Sequence, residues 1–87
     1  MYVVYVIQYN LSKDIYIGKT NNLKRRLNEH NRGEQTSTRR KNGEWILVYA
    51  EAYRDKRDAD NRELKLKQHG SNKRWLKNRF QHSMLVG

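Results

Sequence analysis

The stretch YIGKTNNLKRRLNEHNRG, residues 16–33, changes its hydrophobic period partway through. Its opening letters, with Ile15 before them, are isoleucine and tyrosine, which fit a pleated, half-buried surface. From Asn22 to Arg32 the pattern becomes helical, with Leu23 and Leu27 four positions apart. Gly18 lets the chain leave the sheet, and Thr20 or Asn21 can cap the helix that follows. Gly33 suits the place just beyond the last turn.

Upstream, YVVYVIQY at 2–9 reads as a strand, and Asn10 to Asp14 as a polar turn. With residues 15–18 it makes a hairpin. A turn symmetric about Asn10–Leu11 sets Tyr5 directly opposite Tyr16, on one face. Downstream, residues 34–44 form a polar loop containing Arg39-Arg40-Lys41, and WILVYAEAY at 45–53 is a third strand. Asp55 or Asp58 can cap a second helix reaching about His69, with Gly70 as its stop. Ser71 can cap a short third helix over about 72–80, carrying Trp75, Leu76 and Phe80. The expected class is α+β: a small three-stranded antiparallel sheet flanked by helices, in the order β-β-α-β-α-α. Residues 1–81 make one domain, and 82–87 a short C-terminal tail.

The 87 residues leave no room for a second core. The absence of cysteine removes disulfides and thiolate zinc sites, and the histidines are too scattered for a stapling metal. The apolar start is too short for a signal segment or a bilayer span, so a soluble cytoplasmic protein without a membrane partner is expected. The bulk charge is the strongest signal: 19 Lys and Arg against 9 acids, a net +10. A field of that sign attracts polyanions, nucleic acid ahead of anionic lipid, and the basic residues are spread along the chain instead of forming one tail.

Helical phase then singles out polar groups on apolar stripes. At about 100° per residue, Leu27, His30 and Arg26 all fall within about 60° of Leu23, while Arg25 falls on the opposite side. A satisfied core histidine and a snorkelling arginine would explain this without chemistry. On the second helix Glu63 falls between Ala59 and Leu66, with Arg62 flanking and Leu64 off that face. A carboxylate there needs a cation, either a metal ion or a salt bridge to Arg26 or Arg62. Tyr5 and Tyr16 could simply pack, but a phenol can also act on a proton or a phosphate. Together the set suits phosphodiester cleavage, in which a water is activated, phosphate charge is neutralised and a hard cation needs an oxygen ligand.

These residues resemble the GIY-YIG nuclease family, in its small stand-alone bacterial form and in the N-terminal domain of excision-repair nucleases. The first motif stands at Val4-Tyr5-Val6, with Val4 in place of the family's leading glycine, and the second at Tyr16-Ile17-Gly18. The run at 16–33, the stretch TSTRRKNGEWILVYAEAY and the acid of NRELKLK carry the likeness over residues 2–68. The resemblance implies a DNA endonuclease using one Mg2+ or Mn2+ ion. It matches Tyr5 and Tyr16 to the motif tyrosines and Arg26 to the arginine that binds the scissile phosphate. His30 matches a histidine-or-tyrosine position, Glu63 the metal-binding acid, and Lys19 and Gly18 positions lining the same face. Asn78 and Asn72 are candidates for a late asparagine. Lys24, Arg39, Arg40, Lys41, Lys73 and Arg74 are expected to meet DNA phosphates. With no targeting domain in the sequence, selectivity would come from DNA shape, such as branched or damaged DNA, or from a protein partner, and a monomer is expected. The alternative is a non-catalytic, basic nucleic-acid-binding module on the same scaffold.

Overall fold

The apolar run at the start of the chain becomes the middle strand of the sheet. In the computed structural model, which describes residues 1–35 and 38–70, β1 is Tyr2–Tyr9, β2 is Ile15–Thr20 and β3 is Trp45–Tyr53. The strands are antiparallel, in the order β2-β1-β3. Helix α1 spans Leu23–Asn31 and α2 spans Lys56–Gly70. This is the expected α+β class in the order β-β-α-β-α. The third helix expected at 72–80 and the tail at 82–87 lie outside the described residues. Among those described, no helix is long and apolar enough to cross a membrane.

Both faces of β1 are covered, which explains why its sequence is continuously apolar instead of alternating. On one face Val4, Val6 and Ile17 meet Ala59 and Leu66 of α2. On the other, Tyr5, Ile7, Tyr9 and Trp45 pack with Tyr16 and with Leu23 and Leu27 of α1. Helical phase thus identified the buried stripe of each helix. Among the described residues, no buried side-chain nitrogen or oxygen lacks a hydrogen-bond partner.

The hairpin register differs from the symmetric-turn expectation. Tyr5 pairs with Gly18, and Tyr16 pairs with Ile7. The turn is longer than two residues: the Tyr9 amide donates to the Asp14 carbonyl at 2.9 Å, and Lys13 sits at φ 66. Gln8 Nε2 donates to the Lys13 carbonyl at 3.3 Å and supports that bend. A slip of two residues preserves the alternation of faces, so Tyr5 and Tyr16 remain on one face as diagonal neighbours. Their ring centroids are 6.3 Å apart.

Gly18 does not release the chain from the sheet, since β2 continues to Thr20. The helix cap is Asn22, beyond the two expected candidates: its side chain accepts from the Arg25 amide at 3.1 Å. Thr20 Oγ1 accepts instead from the Asn22 amide at 3.1 Å and orients the cap. At the other end, Gly33 adopts φ 75, its amide reaches the His30 carbonyl at 3.2 Å, and the Glu34 amide reaches the Glu29 carbonyl at 3.0 Å. That is a Schellman stop, and it fixes the last turn of α1, where His30 sits. Of the two expected candidates, Asp55 caps α2, accepting from the Arg57 amide at 2.8 Å.

Candidate active site

The site is built over Gly18. A Cβ at Gly18 would lie 2.6 Å from Tyr5 Cζ and 2.9 Å from Tyr16 Cε1, so the missing side chain is the space these rings occupy. Because β2 is an edge strand, the Tyr5 hydroxyl is carried across Gly18 toward the rim of the sheet. Tyr5 itself is buried, and Tyr16 is half-buried.

His30 closes the cluster from α1. It is buried, with its ring 5.8 Å from that of Tyr5 and 5.0 Å from that of Tyr16. Nε2 lies 2.7 Å from the Tyr5 hydroxyl, and Nδ1 lies 2.7 Å from Thr38 Oγ1. The Thr38 hydroxyl also points to the Gln35 carbonyl at 3.5 Å. The direction of the two imidazole bonds follows the tautomer: a proton on Nδ1 makes Thr38 Oγ1 its acceptor and the Tyr5 phenol the donor to Nε2. Thr38 is fully buried, and its carbonyl accepts from Trp45 Nε1 at 2.7 Å.

The charges follow from this burial. Desolvation pushes the Tyr5 phenol well above its ordinary value, and the neighbouring Tyr16, Glu63 and Glu29 add to the effect while Arg26 opposes it. His30 is held below its usual value, first by burial and then by the Arg26 cation, against the pull of Glu29. Both shifts favour one state: a neutral imidazole beside a protonated phenol.

Arg26 is the half-buried arginine of α1, 34% exposed against 65% for Arg25, as the helical phase anticipated. Glu29 lies 4.0 Å from its guanidinium, one helical turn away. Glu63 is half-buried on α2, between Ala59 and Leu66. Its ion pair is with Lys67 at 3.4 Å, one turn along the same helix, and not with Arg26 or Arg62 as the salt-bridge reading expected. Arg62 is instead 3.1 Å from Glu51 of β3, which also accepts from the hydroxyls of Tyr49 and Tyr53. Lys19 departs from its expected place as well. Alternation in β2 turns it to the face opposite Gly18, where it pairs with Asp60 of α2.

The structure thus brings together Tyr5, Tyr16, His30 and Gly18, with Arg26 of α1 and Glu63 of α2 acting on the Tyr5 phenol, and turns Lys19 to the face that α2 covers. Lys24 lines a shallow groove on the outer side of α1 with Asn22, Arg25, Asn28 and Arg32. In the loop, Arg39 Nε donates to the Gly33 carbonyl at 3.0 Å, and Arg40 lies 5.9 Å over the Trp45 ring and 3.4 Å from Asp14. The Lys41 carbonyl accepts from the Tyr9 hydroxyl at 2.7 Å. Asn72, Lys73, Arg74 and Asn78 lie outside the described residues. Sequence reasoning missed Thr38 and Asp60. A threonine in a loop has no period to betray it, and an acid beside a helical stripe reads as surface.

No three His, Cys, Asp or Glu side chains cluster as a metal cage among the described residues. A single carboxylate still fits a magnesium-type ion, which keeps several waters and takes its remaining ligands from substrate phosphates. Glu63 would supply that oxygen; its ion pair is with the exposed Lys67, one turn along the same helix.

The model of the GIY-YIG catalytic domain matches residues 1–78 of the chain. A UPF0213 protein of Clostridium perfringens is 37% identical over 67 residues, covering 77% of this chain and 71% of that protein. No solved structure matches the chain. With the motif tyrosines packed over Gly18 and the family model spanning most of its length, the chain belongs to the GIY-YIG nuclease family.

Proposed function

We propose that the protein is an endonuclease that hydrolyses DNA phosphodiester bonds with one divalent ion, Mg2+ or Mn2+, held at Glu63. The observation that carries this reading is the Tyr5–His30–Tyr16 cluster over Gly18, bracketed by the charges of Arg26 and Glu63. A mere packing cluster does not need both a cation and a carboxylate near enough to move the proton affinity of one phenol. A pure binder of DNA has no use for a half-buried acid.

In this reading the two tyrosines have different tasks. Tyr5 is buried, bonded to His30 and held protonated, so it is a poor base whose hydroxyl is held in place. Tyr16 is half-buried and packs on both the Tyr5 and His30 rings, so its hydroxyl is the one that can hold an attacking water. Arg26 offers a planar fork to a non-bridging phosphate oxygen, which a carboxylate in its place would repel. The ion, when bound, would supply charge stabilisation for the leaving oxygen. Lys24, Arg39, Arg40 and Lys41 would meet DNA phosphates, giving salt-dependent binding without reading sequence. The target would be selected by DNA shape, such as branched or damaged DNA, or by a protein partner.

The test is nicking of supercoiled plasmid with and without Mg2+ or Mn2+. Wild type should cut only with metal. Arg26→Ala and Glu63→Gln should each lose cutting by on the order of a hundredfold while keeping the fold. Equal cutting by all three proteins, or cutting in chelator, would sink the assignments. Gel-shift binding without metal-dependent cutting would favour the binding module.

A further inference from the structure

We infer that Thr38 is a positioning residue for Tyr5, acting through the imidazole of His30. This rests on the nuclease reading above for its consequence in catalysis, but its geometry stands independently. Thr38 lies in the loop between α1 and β3, eight residues past His30, and no part of its side chain reaches water. It is fixed from two sides. Its carbonyl is held by the indole N–H of buried Trp45 at 2.7 Å, and its hydroxyl points to the Gln35 carbonyl at 3.5 Å. That leaves Oγ1 as the acceptor for His30 Nδ1–H at 2.7 Å.

The consequence is a fixed tautomer. A neutral imidazole has one donor and one acceptor, and the partner of one nitrogen decides the role of the other. With Nδ1–H engaged by Thr38, Nε2 accepts, and the Tyr5 phenol must donate. The phenol oxygen then turns its lone pairs away from His30, toward the rim of β2. Without the hydroxyl of Thr38 the ring has no reason to keep its proton on Nδ1. The reverse arrangement, Nε2–H donating to Tyr5, would free the phenol hydrogen to point elsewhere. The charged and titratable groups that face this ring are Tyr5 from β1, Tyr16 from β2, and Arg26 and Glu29 from α1. Among the described residues none of these occupies Nδ1, so the loop threonine sets the choice.

The experiment reads the ring directly. In nitrogen-15 NMR of the full chain at pH 7.5, wild-type His30 should be a single Nδ1–H tautomer. Thr38→Val, nearly isosteric but without the hydroxyl, should give a mixed or Nε2–H ring, and Thr38→Ser should restore the wild-type signal. In single-turnover cleavage at saturating DNA, Thr38→Val should slow the reaction by on the order of tenfold without weakening DNA binding, and Thr38→Ser should recover most of it. An Nε2–H tautomer in the wild type overturns the inference, and that measurement needs no variant to fold. So does an Nδ1–H ring that survives in folded Thr38→Val. A wild type that shows the Nδ1–H ring but cuts no DNA leaves the positioning of Tyr5 standing and removes the nuclease reading instead.

Discussion

At Gly18 a single absent methyl group decides whether a site exists. The residue faces Tyr5 across the β1–β2 ladder, and the rings of Tyr5 and Tyr16 occupy the volume a side chain would need. Its φ is not in the left-handed region, so the requirement is steric and not conformational. Neither ring can easily give way. Tyr5 is tied to His30 through its hydroxyl, and Tyr16 is backed by the His30 ring. Gly18→Ala should therefore cost about 1–3 kcal/mol of stability, as overpacking does, and should abolish cutting at temperatures where the variant is still folded. Urea unfolding beside plasmid nicking checks this. An alanine variant that cuts like wild type would mean that the Tyr5 position is not needed. Thr38 is the complementary case, a residue that touches no solvent yet sets the direction of a proton two side chains away.

At the level of elements, the two helices approach the sheet from opposite faces: α1 packs on the face of Tyr5 and Tyr16, and α2, with Glu63, on the other. Helix α1 carries Arg26 and His30, four positions apart and so on one side. The cap at Asn22 and the Schellman stop at Gly33 hold that side toward β1 and β2. Helix α2 is tied down by polar contacts at both edges of the sheet. Lys19–Asp60 fastens it to β2, and Arg62–Glu51 to β3. The second tie is the better built. Arg62 meets Glu51 through Nε and a terminal nitrogen at 3.1–3.3 Å, while Tyr49 and Tyr53 donate to the same carboxylate. Burial works against that charge, but these donors outweigh it and hold Glu51 below its ordinary range. Arg62→Ala leaves the carboxylate with its two phenols, so the loss should be moderate, about 1–3 kcal/mol by chemical denaturation. A change under about 0.3 kcal/mol would show that the tie contributes nothing to holding α2.

Over the whole molecule, the net charge of +10 is spread across a domain with a thin core, so its stability should respond to pH through its few buried titrating groups. His30 is the informative one. Its folded pKa lies below the unfolded value of about 6.5, so the unfolded chain binds that proton first as pH falls. The contribution of the neutral ring to stability is present above about pH 6.5 and is lost on acidification from there toward the folded value. Urea unfolding at pH 7.5 and at pH 5.5 should show the decline, and His30→Gln should flatten its slope over that interval. The two proteins differ at this one histidine, so the difference between their slopes isolates it. An unchanged slope in the variant would place the proton elsewhere.

Much of this was legible in the sequence because it is local. Strand and helix periods, the Asp55 cap and the Gly33 stop arise from interactions within a few residues, and the chain carries them in its spacing. Helical phase also separated Arg26 from Arg25 and put Glu63 between Ala59 and Leu66, because the turn of a helix is fixed by its own backbone. The face shared by Tyr5 and Tyr16 was legible too, since strand alternation survives a slip of two residues. What only the tertiary structure decided was everything that depends on a partner distant in sequence. The register that sets Gly18 under Tyr5 came from the conformation of the hairpin turn. The placement of Lys19 against Asp60 and of Arg62 against Glu51 came from how α2 docks. The threonine that fixes the His30 proton came from a loop that no periodicity describes. Burial selects those partners by desolvating groups that must then find one another, and that selection operates only once the chain is folded.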